Sequence, residues 1–277
     1  MLGHNHLGKN GRFGNQMFQY AATRGIAAKH GYDWCIPPGP KEDEDFNDEE
    51  NQHKLFMAFK MPNAVRDWGE SRINTLPAPY KQESSFTFDE DLFNNCPDNV
   101  NLYGYFQSEK YFKHIEDQIR EDFTWRDDVR DLCQDLFNTI GDTAISLHIR
   151  RTDHLVKPTY HPVLPLSYYE EALSKCPRVY DSCDVPVLVF SDDPDWCKEQ
   201  DFFADDRFMI SESGDNITDM CLMSMCEYHI MANSTYSWWG AWLSNSKNVI
   251  APKLWFGPDG QDPRDVYVDR WEYLEVK

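Results

Sequence analysis

The second half of the chain alternates between two kinds of pattern. Short apolar runs, TAISLHI (143–149), PVLVF (186–190), DRFMI (206–210), EYHIMA (227–232) and NVIAP (248–252), are separated by helical patterns such as PLSYYEEALSKC and NITDMCLMSMC. Runs this short and β-branched are strand-type, and strands that alternate with helices are joined by crossovers, which implies a parallel sheet. In such sheets ligands bind beyond the carboxyl ends of the strands. The residues that follow each run are therefore where a site is sought.

The first half is less regular. Residues 17, 18, 21, 25 and 26 follow the helical period, with Gly31 after Lys29-His30 as a stop, so the motif GRFGNQMFQYA (11–21) sits at a helix N-terminus. Its lead-in GHNHLGKN is polar, which predicts a first strand that is short or missing. YDWCIP reads as a strand, and the acidic run KEDEDFNDEE (41–50) as an exposed, self-repelling loop. NLYGYFQSEKYF (101–112) predicts a strand, a turn at Gln107-Ser108 and a helix through KYFKHIEDQIRED. The Gly-containing break from Asn138 to Thr143 places a domain boundary near residue 140, giving halves 1–140 and 141–277.

At 277 residues and 41% hydrophobic content, each half can bury its own core. A net charge of −20 repels phosphate backbones and anionic lipid surfaces, which argues against nucleic acid as a partner. A small phosphate-bearing ligand answers instead to nearby arginines. There is no apolar segment of signal-peptide or membrane-spanning length, so a soluble, cytoplasmic protein without stable membrane insertion is expected. The 8 cysteines include no CxxC pair, hence neither a zinc spacing nor a disulfide scaffold. The sequons at Asn216 and Asn233 matter only in a secretory compartment.

Three stretches can carry chemistry. His148-Ile149-Arg150-Arg151-Thr152-Asp153 follows the run TAISLHI directly. Arginine offers a planar fork of donors suited to phosphate, and two could neutralise a diphosphate leaving group. Side chains alternate along a strand, so one of Arg150 and Arg151 can face a ligand while the other is structural; a salt-bridged pair is an equal alternative. In Ser191-Asp192-Asp193-Pro194, the carboxylates could hold a metal, but Asp193 at the N-cap with Pro194 at the first helical position is what a helix start requires. That leaves Asp192 for a ligand hydroxyl or an arginine. In MANSTYSWWGAWLS, the hydroxyls of Ser234 and Thr235 at a helix start suit an anion, while Trp238, Trp239 and Trp242 beside Gly240 and Ala241 read as close helix–sheet packing. Asp219 reads either as a contact to a base or sugar or as a solvated helix carboxylate.

In this order, GRFGNQMFQYA, GYFQSEKYF, HIRRTD, FSDD, ANSTYSWWGAWL and VIAPKLWF resemble the α-1,2-fucosyltransferase family of bacterial and animal enzymes, across residues 11 to about 256. The resemblance implies an α/β fold of glycosyltransferase type B, two Rossmann-like halves facing a cleft. It implies an inverting, metal-independent transfer of L-fucose from GDP-β-L-fucose to the 2-hydroxyl of a glycan such as a β-galactoside. The donor would be held by the C-terminal half and the acceptor approached from the N-terminal half, with no cofactor. Arg150 matches the arginine of the family's His-x-Arg-Arg-x-Asp motif that engages the diphosphate, and His148, Arg151 and Asp153 complete that motif. Ser234 and Thr235 match positions near the phosphates. GRFGNQ is also similar to a loop of the protein O-fucosyltransferases whose Asn lies beside the reacting centre, which makes Asn15, with Gln16 next to it, a polar finger toward sugar or acceptor. Bacterial members usually read Gly-Gly-Leu-Gly-Asn-Gln, where this chain has Gly11-Arg12-Phe13-Gly14-Asn15-Gln16.

On this reading Arg150, Ser234 and Thr235 stabilise charge on the leaving diphosphate. Asp153, His148, His154 or a phosphate oxygen would take the acceptor proton, with pairing to an arginine an equal role for Asp153. The alternatives are a transferase for another GDP-deoxyhexose, a metal-dependent transferase built on Asp192-Asp193, and a non-catalytic nucleotide- or glycan-binding protein.

Overall fold

The first strand is short, and it ends as the polar lead-in begins. In the computed structural model, which describes residues 1–37, 53–64, 79–141, 143–180 and 183–277, β1 is only Leu2–Gly3, yet it pairs on both sides. The acidic run 41–50 lies outside the described residues. With β2 (Trp34–Cys35), β3 (Tyr80–Gln82) and β4 (Val100–Tyr103), β1 makes a four-stranded parallel sheet in the order β2-β1-β4-β3. The chain then crosses over through helix α1 (Phe13–His30), which begins four residues before Met17 and ends at Gly31 in the left-handed region.

An amphipathic α1 was expected, but the helix is buried nearly all round from Phe13 to Ala27. Its polar residues are therefore paired internally. Arg24 Nη1 lies 2.5 Å from Asp122 Oδ2, which also accepts from Tyr20 Oη at 2.7 Å, and Asp122 is fully buried. Breaking such a buried pair from one side typically costs about 3–5 kcal/mol, so this cluster fixes α1 against the segment carrying Asp122. The helix expected from Lys110 starts instead as two 3₁₀ turns, Glu109–Tyr111 and Lys113–Ile115, before the α-helix Glu116–Asp122. Buried Phe112, at φ −134° and ψ 1°, leaves helical geometry between the two turns.

The second half matches its pattern strand by strand. β5 (Ile145–Ile149), β8 (Val187–Ser191), β9 (Phe208–Ile210), β10 (Tyr228–Ile230) and β11 (Asn248–Pro252) are joined by β12 (Glu272–Leu274) in a six-stranded sheet, order β12-β11-β10-β5-β8-β9. Each of its pairings is parallel. The remaining strands, β6 (Val179–Tyr180) and β7 (Cys183–Asp184), form a small antiparallel hairpin. Among the helices here are Asp127–Asn138, Leu166–Lys175, Asn216–Met225 and Thr235–Ser244. Ile145, Leu147, Val187, Val189 and Ile230 of the strands pack with Tyr168, Tyr169 and Ala172 of the helix Leu166–Lys175 in one core.

The two compact units divide between Arg126 and Asp127, not near residue 140, and residues 262–268 belong with the first unit. The physical reason lies in the helix Asp127–Asn138. It buries Cys133 and Phe137, and the Cys133 thiol donates to Thr218 O at 3.7 Å, so it belongs to the second core. The segment 262–268 is tied to the first unit by Asp265, whose carboxylate accepts from Phe88 N at 2.8 Å and pairs with Lys110 at 2.5 Å. Among the described residues no helix is long and apolar enough to cross a membrane.

Candidate active site

In the second unit, the residues singled out from the sequence gather at the carboxyl edge of the sheet. β5 ends at Ile149, so Arg150 and Arg151 begin the segment that leads into a short helix, Thr152–Val156; neighbouring β8 ends at Ser191 and delivers Asp192 beside them. Asp192 accepts from the backbone N–H of Arg151 at 2.9 Å and of Thr152 at 3.1 Å, and from the Thr152 hydroxyl. Its Oδ2 also lies 3.0 Å from Arg150 Nη1. Of the two roles expected for Asp192, the structure thus gives it the arginine.

Both arginines are ion-paired. Arg150 Nη2 reaches Asp153 Oδ1 at 2.6 Å, so its guanidinium lies between two carboxylates; Asp153 is 44% exposed and Asp192 17%. Arg151 turns elsewhere: its Nε lies 3.1 Å from Asp193 Oδ2, and its guanidinium stacks over Trp196 at 3.8 Å from the ring centroid. Asp193 caps the helix Pro194–Lys198 by accepting from Trp196 N at 3.4 Å, as the Asp-Pro signal predicts.

The histidines are interior groups. His148 is 4% exposed, its ring lies 5.5 Å from that of Tyr236, and burial lowers its pKa to about 4. His148 Nδ1 has no hydrogen-bond partner among the described residues. His154 stacks on His161 at 5.0 Å, faces Pro162 O at 3.3 Å, and is likewise held at about 4 by burial. Both are neutral at pH 7, but their burial keeps them from solvent.

Ser234 is the N-cap of the helix Thr235–Ser244, its hydroxyl accepting from Tyr236 N at 3.3 Å, and Thr235 opens that helix half-buried. Asp219 accepts from the hydroxyls of Ser211 and Ser213 at 2.6 and 2.7 Å, and its burial raises its pKa. It is half-buried, and with these bonds it closes the loop after β9. Tyr236, which the sequence pattern did not single out, links these parts. Its hydroxyl donates to Asn216 O at 2.5 Å while its ring meets His148. The tryptophans are core, as expected, but Gly240 makes its close approach to Met223 of the helix Asn216–Met225, so the contact is helix to helix rather than helix to sheet. Asn233 is buried, with its amide donating to Pro162 O and Trp255 O, which leaves that sequon without an accessible nitrogen.

In the first unit, Asn15 and Gln16 lie in the first turn of α1. Gly11 adopts φ +99°, and a Cβ there would sit 2.6 Å from Asn15 Nδ2, so both the turn and the asparagine require glycine. Gln16 is not a finger: it is buried and accepts from Lys54 N at 3.2 Å. Asn15 is half-buried, and its Oδ1 accepts from Gln107 Nε2 at 2.8 Å. The sequence pattern places Gln107 only in a turn.

A family model described as glycosyl transferase family 11 matches residues 2–275. The O-antigen biosynthesis glycosyltransferase WbnK of Escherichia coli is 36% identical over 213 residues, 71% of this chain and 68% of that protein. The alpha-1,2-colitosyltransferase of Escherichia coli is 30% identical, covering 96% and 97%, and galactoside alpha-(1,2)-fucosyltransferase 1 of Homo sapiens is 27% identical, covering 95% and 72%. Among solved structures, NodZ alpha-1,6-fucosyltransferase co-crystallized with GDP superposes with a TM-score of 0.55 at 15% identity, covering 87% of this chain and 92% of that one. POFUT1 in complex with GDP gives 0.57 at 12% identity, covering 90% and 96%. These likenesses place the chain in the glycosyltransferase type B fold class.

Proposed function

The chain belongs to glycosyl transferase family 11, and from that premise we propose that it moves L-fucose from GDP-β-L-fucose to the 2-hydroxyl of a β-galactoside-type glycan, with inversion at the sugar carbon. Two relatives bear an α-1,2 linkage in their names, and solved structures of the same fold are complexes with GDP, which supports the linkage and a GDP-sugar donor. The observation that carries the reading is Arg150, held at the carboxyl edge of the second sheet by Asp192.

In the reaction the acceptor oxygen forms a bond to the sugar C1 as the bond to the diphosphate breaks, GDP leaves with the electron pair, and the proton of the acceptor hydroxyl passes to an oxygen of the departing diphosphate. Arg150 receives that charge. Asp153 is its outer and more exposed partner, so the diphosphate oxygens take Asp153's place while Asp192 keeps the guanidinium fixed. Asp153 is then the group exchanged and not the base. Ser234 and Thr235 add hydroxyls from the neighbouring helix start, and Asn15 is a candidate acceptor contact. No metal takes part.

A second reading concerns the sugar alone. The colitosyltransferase relative spans nearly the whole chain, which favours a closely similar GDP-deoxyhexose as a competing donor. Incubation with GDP-fucose or GDP-colitose and a β-galactoside acceptor, with linkage read by NMR, tests both. A new α-1,2-linked fucose is expected; product from GDP-colitose only would replace the donor, and product from neither would overturn the reading.

A further inference from the structure

The motif GYFQSEKYF is a stretch that the transfer chemistry leaves without a role. It begins where β4 ends, at the carboxyl edge of the first sheet, and Glu83 follows the end of the adjacent strand β3. The two are bound together. Glu83 Oε2 accepts from the backbone N–H of Tyr105 at 3.1 Å and of Phe106 at 3.0 Å, and Oε1 accepts from Tyr111 Oη at 3.0 Å. Gly104 is the closest point, since a Cβ there would lie 2.8 Å from the Glu83 side chain.

This carboxylate bends the strap. Phe106 adopts φ +53°, a left-handed conformation that costs a bulky residue on the order of 1–3 kcal/mol and persists only where its surroundings hold it. The next residue is Gln107, 7% exposed, whose amide donates to Asn15. Gln19 pins the other end by donating to Gly104 O at 3.1 Å. A carboxylate alone satisfies three converging donors here. The carboxamide of glutamine would turn an N–H toward either the strap amides or the Tyr111 hydroxyl, whose oxygen already accepts from Asp89 N at 2.8 Å.

We infer that Glu83 is a positioning residue: it holds the strap 104–111 in the form that lets Gln107 orient the Asn15 amide for transfer. The inference rests on the reading of Asn15 given above. The groups facing Glu83 are Tyr111 from the 3₁₀ turn and Asp89 from the cap of the helix Glu90–Asn95. Burial pushes the Glu83 carboxyl up to about 7, with Asp89 raising it further and the three hydrogen bonds pulling it down. Only the ionised form accepts all three donors, so the strap is held best above that value, and transfer loses rate as the pH falls through it.

The test compares wild type, Glu83→Gln and Asn15→Ala for transfer kinetics, pH profile and amide exchange at Tyr105 and Phe106. Glu83→Gln should speed exchange at both amides, lower kcat by about 10- to 100-fold, as small misplacements do, and abolish the acid limb near pH 7. The loss should vanish in the Asn15→Ala background. If Glu83→Gln does not fold, Tyr111→Phe, which removes one of the three donors, is read by the same measures. A defective Asn15→Ala beside a Glu83→Gln enzyme with wild-type kcat and an unmoved pH limb overturns this inference alone. Wild-type turnover in Asn15→Ala overturns the Asn15 reading and the inference with it.

Discussion

Asp192 holds Arg150: its Oδ2 lies 3.0 Å from Nη1, and the same carboxylate accepts the amides of Arg151 and Thr152. One side chain thus fixes both the guanidinium and the backbone that carries it. Asp192→Ala should leave these donors unpaired, costing about 1–3 kcal/mol of stability. It should also weaken GDP binding by about 10-fold or more, because an unanchored arginine must be ordered on binding. Urea unfolding and calorimetry with GDP check both; normal GDP affinity in a folded variant would show that Arg150 needs no anchor.

Arg151 is engaged differently. Stacked on Trp196 and paired with Asp193, it ties the Arg150 segment to the helix Pro194–Lys198. Arg151→Ala should cost about 1 kcal/mol, the scale of a partly desolvated cation–π contact, and reduce transfer less than the loss of Arg150. A larger kinetic effect than that of Arg150→Ala would reassign the diphosphate contact to Arg151.

The proposed metal independence is supported by how the Asp192-Asp193 carboxylates are used. Asp192 is taken by Arg150 and two amides, and Asp193 by a helix cap and Arg151. Turnover should be the same with EDTA as without it. Loss of activity in EDTA that magnesium or manganese restores would contradict this.

Four buried histidines, His154 at about 4 among them, set a direction for stability against pH. Burial holds His4 at about 3 and His148 and His229 at about 4, against an ordinary value of 6.5. Between 6.5 and about 4 the unfolded chain therefore binds more protons than the folded one, and stability falls as the pH falls, by up to about 1.4 kcal/mol per pH unit for each group. Glu83, raised from 4.5 to about 7, acts in the opposite direction, as do Asp122 and Asp219, which burial also raises, but these are outnumbered by the lowered histidines. Urea midpoints should drop steadily from about pH 6.5 to pH 4.5; a flat or rising series would refute the sign.

What the sequence disclosed followed from what is local. Strands such as PVLVF and NVIAP lie within a residue of their observed ends because apolar runs, turn residues and caps are written in neighbouring positions. The pairing of β3 with β4, which brings Glu83 to Gly104, joins residues far apart in the chain, and no spacing announces it. Tyr236 was hidden for another reason: among so many aromatics in STYSWWGAW, nothing marks the one whose hydroxyl leaves the core to reach Asn216. The boundary near 140 followed a glycine break, while the helix Asp127–Asn138 had already joined the second core through Cys133 and Phe137.

On the proposed function, Arg150 receives the charge of a departing diphosphate as a deoxyhexose moves to a galactoside 2-hydroxyl. The most direct measurement is the transfer rate from GDP-fucose to a β-galactoside by wild type and Arg150→Ala, with the circular dichroism spectra matched. α-1,2-linked product is expected from wild type, with a fall of about 10²–10³ or more in the variant. Wild-type turnover in a folded Arg150→Ala enzyme would contradict it.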